Sequence, residues 1–156
     1  MNEVYLDSAY LAKCYVNEPD SAEVRRVVWQ AGKRCSSAWC LAEVACVFHR
    51  HVREGALPEA RAAALSKLFL EDIAAAMWLL LPVSDHLMRR VEAAVRQVPA
   101  TVILRAGDAV HLVSARDAGF QEIWTNDRHL LRAAPHFGMA GRSVSSPGPV
   151  RRSSPP

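Results

Sequence analysis

The sequence predicts an α/β fold, a single domain in which a parallel β-sheet is flanked by α-helices in three layers. Three observations carry this. Short runs at residues 4–6, 78–83 and 122–125 have the length of strands. The segments between them are too long for hairpin turns and carry apolar residues at helical spacing, the pattern of right-handed βαβ crossovers. Asp7 and Asp127 each stand at the end of such a run, and in open α/β sheets the C-terminal edge of the strands is where ligands bind.

In chain order, strand 4–6 leads through Asp7 and Ser8 into an apolar segment, 9–16, expected to be helical and broken by Asn17-Glu18-Pro19. Asp20 with Glu23 has the form of a capping box. Val24, Val27 and Val28 make the buried stripe of the helix that follows, and Gly32 ends it. Residues 34–38 are assigned as a strand. A longer helix, 41–53, carries Leu41, Val44, Ala45, Val47, Phe48 and Val52 on one side, with Glu43 in its first turn and Gly55 as its stop. Pro58 starts the next helix, where Leu65, Leu68, Phe69, Ile73, Ala76 and Met77 recur at helical spacing, so the two form a helical hairpin. Residues 78–83 read as a fully buried strand of the parallel type. Ser84 caps a helix bearing Leu87, Val91, Ala94, Val95 and Val98, which Pro99 terminates. Asp108 is expected to open a mostly apolar helix that Gly119 closes, and strand 122–125 then runs into Asp127. Asn126 or Asp127 caps a short helix reaching Ala134, and Pro135-His136-Phe137-Gly138 turns into a last short strand near Met139.

The length of 156 residues suits one domain with an ordinary core. Arg142, Arg151 and Arg152 account for the whole formal charge of +3, so residues 1–141 are neutral. A neutral body lacks the broad basic face by which proteins bind nucleic acid through electrostatics alone, but it permits a local basic rim around an acidic site. Residues 142–156, mostly Ser, Pro, Gly and Arg, are expected to be a disordered tail to the domain of residues 1–141. Cys14, Cys35, Cys40 and Cys46 form no CxxC pair and are expected to be reduced, buried thiols rather than disulfides or a zinc site. The first residues lack the apolar stretch of a signal peptide. The longest uncharged apolar run, 73–81, is well short of the ~20 residues that span a bilayer, so the expected location is the cytoplasm.

Four acids stand out. Asp7, Glu43, Asp108 and Asp127 each lie at a strand end or in a first helical turn, among residues expected to be buried. Each has an ordinary explanation as a helix cap or as a charge favouring the helix dipole. Gathered at one sheet edge, however, they would raise each other's pKa and destabilise the fold unless a cation neutralises them. A hard divalent ion, Mg²⁺ or Mn²⁺, is the natural occupant of an all-oxygen set. With a nucleic-acid phosphate as a further ligand, such a site hydrolyses phosphodiester bonds.

The elements Leu6-Asp7-Ser8, Leu41-Ala42-Glu43-Val44, Asp108-Ala109-Val110-His111-Leu112 and Thr125-Asn126-Asp127, in this order and spacing, resemble the PIN-domain ribonucleases, and within them the VapC-type toxins of toxin–antitoxin pairs. The resemblance covers about residues 3–140. It implies an acidic pocket that holds Mg²⁺ or Mn²⁺ and cuts RNA endonucleolytically, with Asp7, Glu43, Asp108 and Asp127 as the catalytic and metal-binding quartet. It implies supporting roles for Ser8, Thr125 and Asn126. His111 also matches, and on an apolar helix face it reads as a hydrogen-bonded core histidine. The resemblance further implies a homodimer neutralised by a small antitoxin, for which the hairpin of residues 41–77 is the expected surface. Lys13, Arg50, Arg105 and Arg128, each near an acid in sequence, are candidates for gripping RNA phosphates. Two alternatives stand beside this reading. An aspartate-nucleophile phosphoryl-transfer domain would use Asp7, but the second acid it needs two residues on is Ala9 here. A non-catalytic PIN-like binding module would have no use for four mutually repelling acids.

Overall fold

Strands of only three to five residues build the centre of this molecule, and their neighbours determine where its cleft falls. A computed structural model describes residues 3–145. Strand β1 (Glu3–Tyr5) is followed by α1 (Ser8–Ala12), α2 (Ser21–Gln30), β2 (Lys33–Ser37), α3 (Cys40–Arg53) and α4 (Glu59–Ala74). Then come β3 (Leu79–Leu81), α5 (Asp85–Val95), α6 (Ala106–Asp117), β4 (Glu122–Trp124), α7 (Arg128–Ala133), a 3-10 turn (Ala134–Phe137) and β5 (Ala140–Arg142).

All pairings are parallel: β1 with β2, β2 with β3, and β4 with β5. A bridge between Leu6 and Trp124 joins the two groups, and the Asp7 N–H donates to the Trp124 carbonyl at 3.1 Å. The sheet therefore runs β3-β2-β1-β4-β5. Strand order reverses between β1 and β4, and the crevice beyond the C-terminal ends of two such strands is where an open α/β sheet binds ligands. Asp7 and Asp127 follow those two strands.

Alternation along β1 feeds two cores. Val4 and Leu6 join Tyr10, Leu11, Val24, Val28, Val44, Phe48, Phe69 and Trp78 on the face covered by α1 to α4. Tyr5 joins Leu87, Val91, Val110, Leu112, Val113, Ile123 and Leu130 on the face covered by α5 to α7. That is the three-layer arrangement expected from the sequence. Helix α6 is buried at every residue from Ala109 to Ala115, so it has no solvated stripe and acts as a central strut. At five residues α1 is far below the ~12–15 at which an isolated helix is marginal. Burial of Tyr10 and Leu11 at about 1.5–3 kcal/mol each holds it in place.

Several expectations need correction. The helix expected over 9–16 stops at Ala12. Asp20 makes no capping box: it stands at φ 68° and its side chain caps nothing, while the Ser21 hydroxyl accepts the Glu18 N–H at 2.9 Å and donates to the Val16 carbonyl. Asp108 does not open α6 but sits in its first turn, where Arg105 is the N-cap. Of the cysteines, Cys35 and Cys40 are buried, Cys14 is half-buried and Cys46 is exposed, all as free thiols. The domain boundary expected at 141 falls inside β5, and ordered chain continues past it. Ser143 Oγ donates to Asn126 Oδ1 at 2.6 Å, the Val144 N–H donates to the Tyr10 hydroxyl at 3.0 Å, and Ser145 Oγ donates to Asp20. The rest of the expected tail, 146–156, lies outside the described residues. Among those residues no helix is long and apolar enough to cross a membrane.

Candidate active site

Asp7 leaves β1 where the two halves of the sheet part. Its extended backbone makes it the N-cap of α1, with one carboxylate oxygen accepting the Tyr10 N–H at 2.9 Å and the other the Thr125 hydroxyl. It is 5% exposed. Burial pushes its carboxyl up to about 6, against the opposing pull of the hydrogen bonds from Thr125 and Tyr10. Thr125 is wholly buried, and its hydroxyl also accepts the Asp127 N–H at 2.9 Å, so one side chain ties together the ends of β1 and β4.

Glu43 comes from the first turn of α3. Its Oε2 accepts from the Ser8 hydroxyl and from His111 Nε2, the latter at 2.9 Å. A carboxylate has no proton to give, so the imidazole carries a proton on Nε2, while its Nδ1 is hydrogen-bonded with the Tyr5 hydroxyl at 3.0 Å. Burial alone would raise the Glu43 carboxyl, but the hydrogen bonds from His111, Ser8 and Trp39 outweigh it and hold it below the ordinary value. His111 is thus the buried, hydrogen-bonded histidine the sequence suggested, with the added role of fixing Glu43.

Asp127 caps α7, accepting the His129 N–H at 2.7 Å and the Leu130 N–H at 3.3 Å. Arg105 reaches across and pairs with Asp127 and, at 3.1 Å, with Asp108. Partial burial would raise the Asp127 carboxyl, but those two N–H groups and Arg105 together hold it lower. Asp7, Glu43, Asp108 and Asp127 all line one cleft of about 320 Å³, with Ser8, Val47, Arg50, Arg105, Gly107 and His111 among the residues around them. Side chains up to 120 positions apart in the sequence therefore converge at the crevice where strand order reverses.

The PIN domain family model matches residues 4–135, a span that holds all four acids. The chain belongs to the PIN domain family. Among solved structures it is similar in fold to Mycobacterium tuberculosis VapC20, a sarcin-ricin loop cleaving toxin, at 15% identity and a TM-score of 0.65 over 83% of this chain and 94% of that one. It is also similar to a chain of FitAB bound to an IR36 DNA fragment, at 13% identity and a TM-score of 0.59 over 90% of this chain and 94% of that one. A search of curated proteins finds no significant match.

The donor set of this PIN domain suits a hard divalent ion, since every acid offers oxygen. Among the described residues no three acids, histidines or cysteines stand close enough together to enclose an ion on their own. That is compatible with Mg²⁺, which keeps several waters and takes only one or two carboxylates directly. It does correct the expectation that only a divalent ion makes the quartet tolerable. Arg105 neutralises one side of the cleft, and Thr125, Ser8 and His111 satisfy the other.

The remaining sequence candidates divide. Arg50 and Arg105 line the cleft, Arg50 also pairing with Glu18 at 2.9 Å. Lys13 is buried, donates to the Pro19 carbonyl at 3.0 Å and lies outside the cleft lining, so it is not placed to grip RNA there. Arg128 is exposed and also lies outside that lining. Asn126 accepts from the Tyr10 hydroxyl at 2.7 Å and from Ser143, which gives it a fastening role behind the site. Two features were missed. Gly107 packs so closely on Glu43 and Trp39 that a Cβ there would collide with the Glu43 carboxylate. A glycine inside a helix, which costs about 1 kcal/mol against alanine, was the available signal. The pairing of Arg105 with two acids left no comparable trace.

Proposed function

We propose that this chain is a Mg²⁺- or Mn²⁺-dependent endoribonuclease, the toxin of a type II toxin–antitoxin pair. The observation that carries the reading is the convergence of Asp7, Glu43, Asp108 and Asp127 on one cleft at the reversal of strand order in a PIN domain. A bound divalent ion would polarise the scissile phosphodiester and activate water for attack on it. Asp7 is fixed by two hydrogen bonds and Glu43 by two donors, so both present their carboxylates in set directions. Asp108 and Asp127 become available to a cation once Arg105 swings away, and a freed Arg105 is placed to meet the negative charge of the phosphate.

The toxin role rests on this chain's likeness in fold to VapC20. Exposed leucines support a partner on the hairpin: Leu41, Leu68 and Leu70 are solvated along α3 and α4, beside an apolar groove of about 330 Å³ that Phe48 and Phe69 also line. That surface suits a short antitoxin or a second copy of the chain, in a cytoplasmic setting. The test of the enzyme is RNA cleavage with Mg²⁺ or Mn²⁺, with chelator, and with Asp7→Asn. Loss of cleavage under both chelation and substitution is expected, and cleavage that survives both defeats the proposal.

A further inference from the structure

A cleft lined by four carboxylates repels a polyanion, so an RNA strand needs cationic contacts flanking it. A second hollow of about 170 Å³ is lined by Thr101, Val102, Ile103, His129, Arg132 and His136, residues that neighbour the cleft's Arg105, Asp127 and Leu130 along the chain. Among the described residues none lines both, but two segments of the chain run from one to the other. Arg105, two residues after Ile103, extends from this loop onto Asp108 and Asp127, and His129 gives its backbone N–H to Asp127. His129, Arg132 and His136 recur at three- and four-residue intervals along α7 and the turn after it, about one side chain per ~5.4 Å turn.

Charge in this region is one-sided. Residues 128–142 contain three arginines, two histidines and no acid. Arg142 is engaged by Glu122, whereas Arg128 and Arg132 are exposed and form no ion pair among the described residues. Arg132 lies in the last turn of α7, where a cation favours the helix dipole, and without an acidic partner among the described residues its guanidinium stays available to an incoming anion. On the same wall Ile103 is 59% exposed, an apolar contact for the face of an unpaired base.

We propose that the hollow between loop 101–103 and α7 is a subsite for single-stranded RNA. Arg132, with His129 and His136, takes a backbone phosphate beside the one in the acidic cleft, and Ile103 packs against the adjoining base. The proposal rests on the ribonuclease reading of the cleft.

The test is binding of a short labelled single-stranded RNA to chelator-treated protein, followed by fluorescence anisotropy over a series of salt concentrations. Arg132→Gln is expected to weaken binding by about three- to tenfold and to lower the slope of log Kd against log salt by ~0.7, the value for one lost phosphate contact on a single strand. Arg132→Lys retains the slope, because a phosphate accepts a point charge, and His136→Gln weakens binding in a background where Arg132 is intact. Wild-type affinity and slope in both Arg132→Gln and His136→Gln overturn the subsite. Wild-type protein that cleaves RNA while these variants bind it unchanged sinks the subsite alone, whereas wild-type protein that neither binds nor cleaves RNA removes the enzyme reading as well. If Arg132→Gln keeps its RNA affinity but loses binding of a polyglutamate peptide, the hollow serves a protein partner and the proposal falls.

Discussion

The two walls of the cleft hold the same kind of charge by opposite means. On the β1 side, Asp7 and Glu43 are held by hydrogen bonds from Tyr10 N–H, Thr125, Ser8 and His111, with no arginine or lysine among them. On the α6 and α7 side, Asp108 and Asp127 share one guanidinium. Asp7 is nearly dry and its carboxyl is pushed up to about 6, while Asp127 is more open and held low. One wall therefore stores unfavourable desolvation that an incoming cation relieves, and the other has a cation already in place that must be exchanged.

Asp7→Asn breaks the contrast most severely. Cleavage should fall by on the order of 10³-fold, beyond the 10–100-fold typical of outer partners of a metal ligand. Without divalent ions the same substitution should raise stability. Folding favours the protonated Asp7, so that contribution is complete below about pH 4 and is lost as pH rises through about 6. At pH 7 the buried carboxylate then costs up to about 3 kcal/mol, which the neutral amide avoids. Urea denaturation of both proteins at pH 4 and pH 7 measures this, and an equal stability difference at the two values would contradict it.

Gly107→Ala acts on the same wall from the other side. The new Cβ has to displace the Glu43 carboxylate, and a misplacement of about 1 Å can cost around 10²-fold in rate. We expect a 10- to 100-fold lower cleavage rate with a thermal midpoint within a few degrees of wild type. Unchanged kinetics would mean that Glu43 tolerates displacement and does not act in a fixed position.

Arg105→Gln sharpens the opposite wall and has the smallest effect. Exposed ion pairs contribute about 0.2–1 kcal/mol, so removing this competitor should tighten Mn²⁺ binding by only about 1.5- to 5-fold in calorimetry. Binding weakened by the substitution would show that Arg105 organises the acids for the cation and does not compete with it.

Much of this was readable from residues. Asp7 and Asp127 announced themselves by following strand-like runs, and the apolar block Ala109 to Ala115 marked a buried helix. What single-residue patterns could not convey was pairing at a distance. The choice of β4 as the neighbour of β1 depends on three-residue strands with almost no periodicity to read. Asp20 failed as a cap because its backbone is left-handed and its carboxylate accepts from Asn126 and Ser145, 106 and 125 positions away. Leu41 and Leu68 fit the helical stripe by spacing yet lie at its solvated margin, since a stripe read from the sequence has no fixed width. The pairing of Arg105 with Asp127, 22 positions on, exists only after folding and so left no mark in the sequence.

The fastening of Val144 to Tyr10 and of Thr125 to Asp7 has a bearing on how this polypeptide is made. During translation Asp7 emerges 118 positions ahead of the hydroxyl that orients it, and Tyr10 emerges 134 positions ahead of the amide that secures it. A nascent or prematurely terminated chain on the ribosome thus carries its first acid in an unassembled state, and the cleft is completed only when β4 and β5 have been delivered.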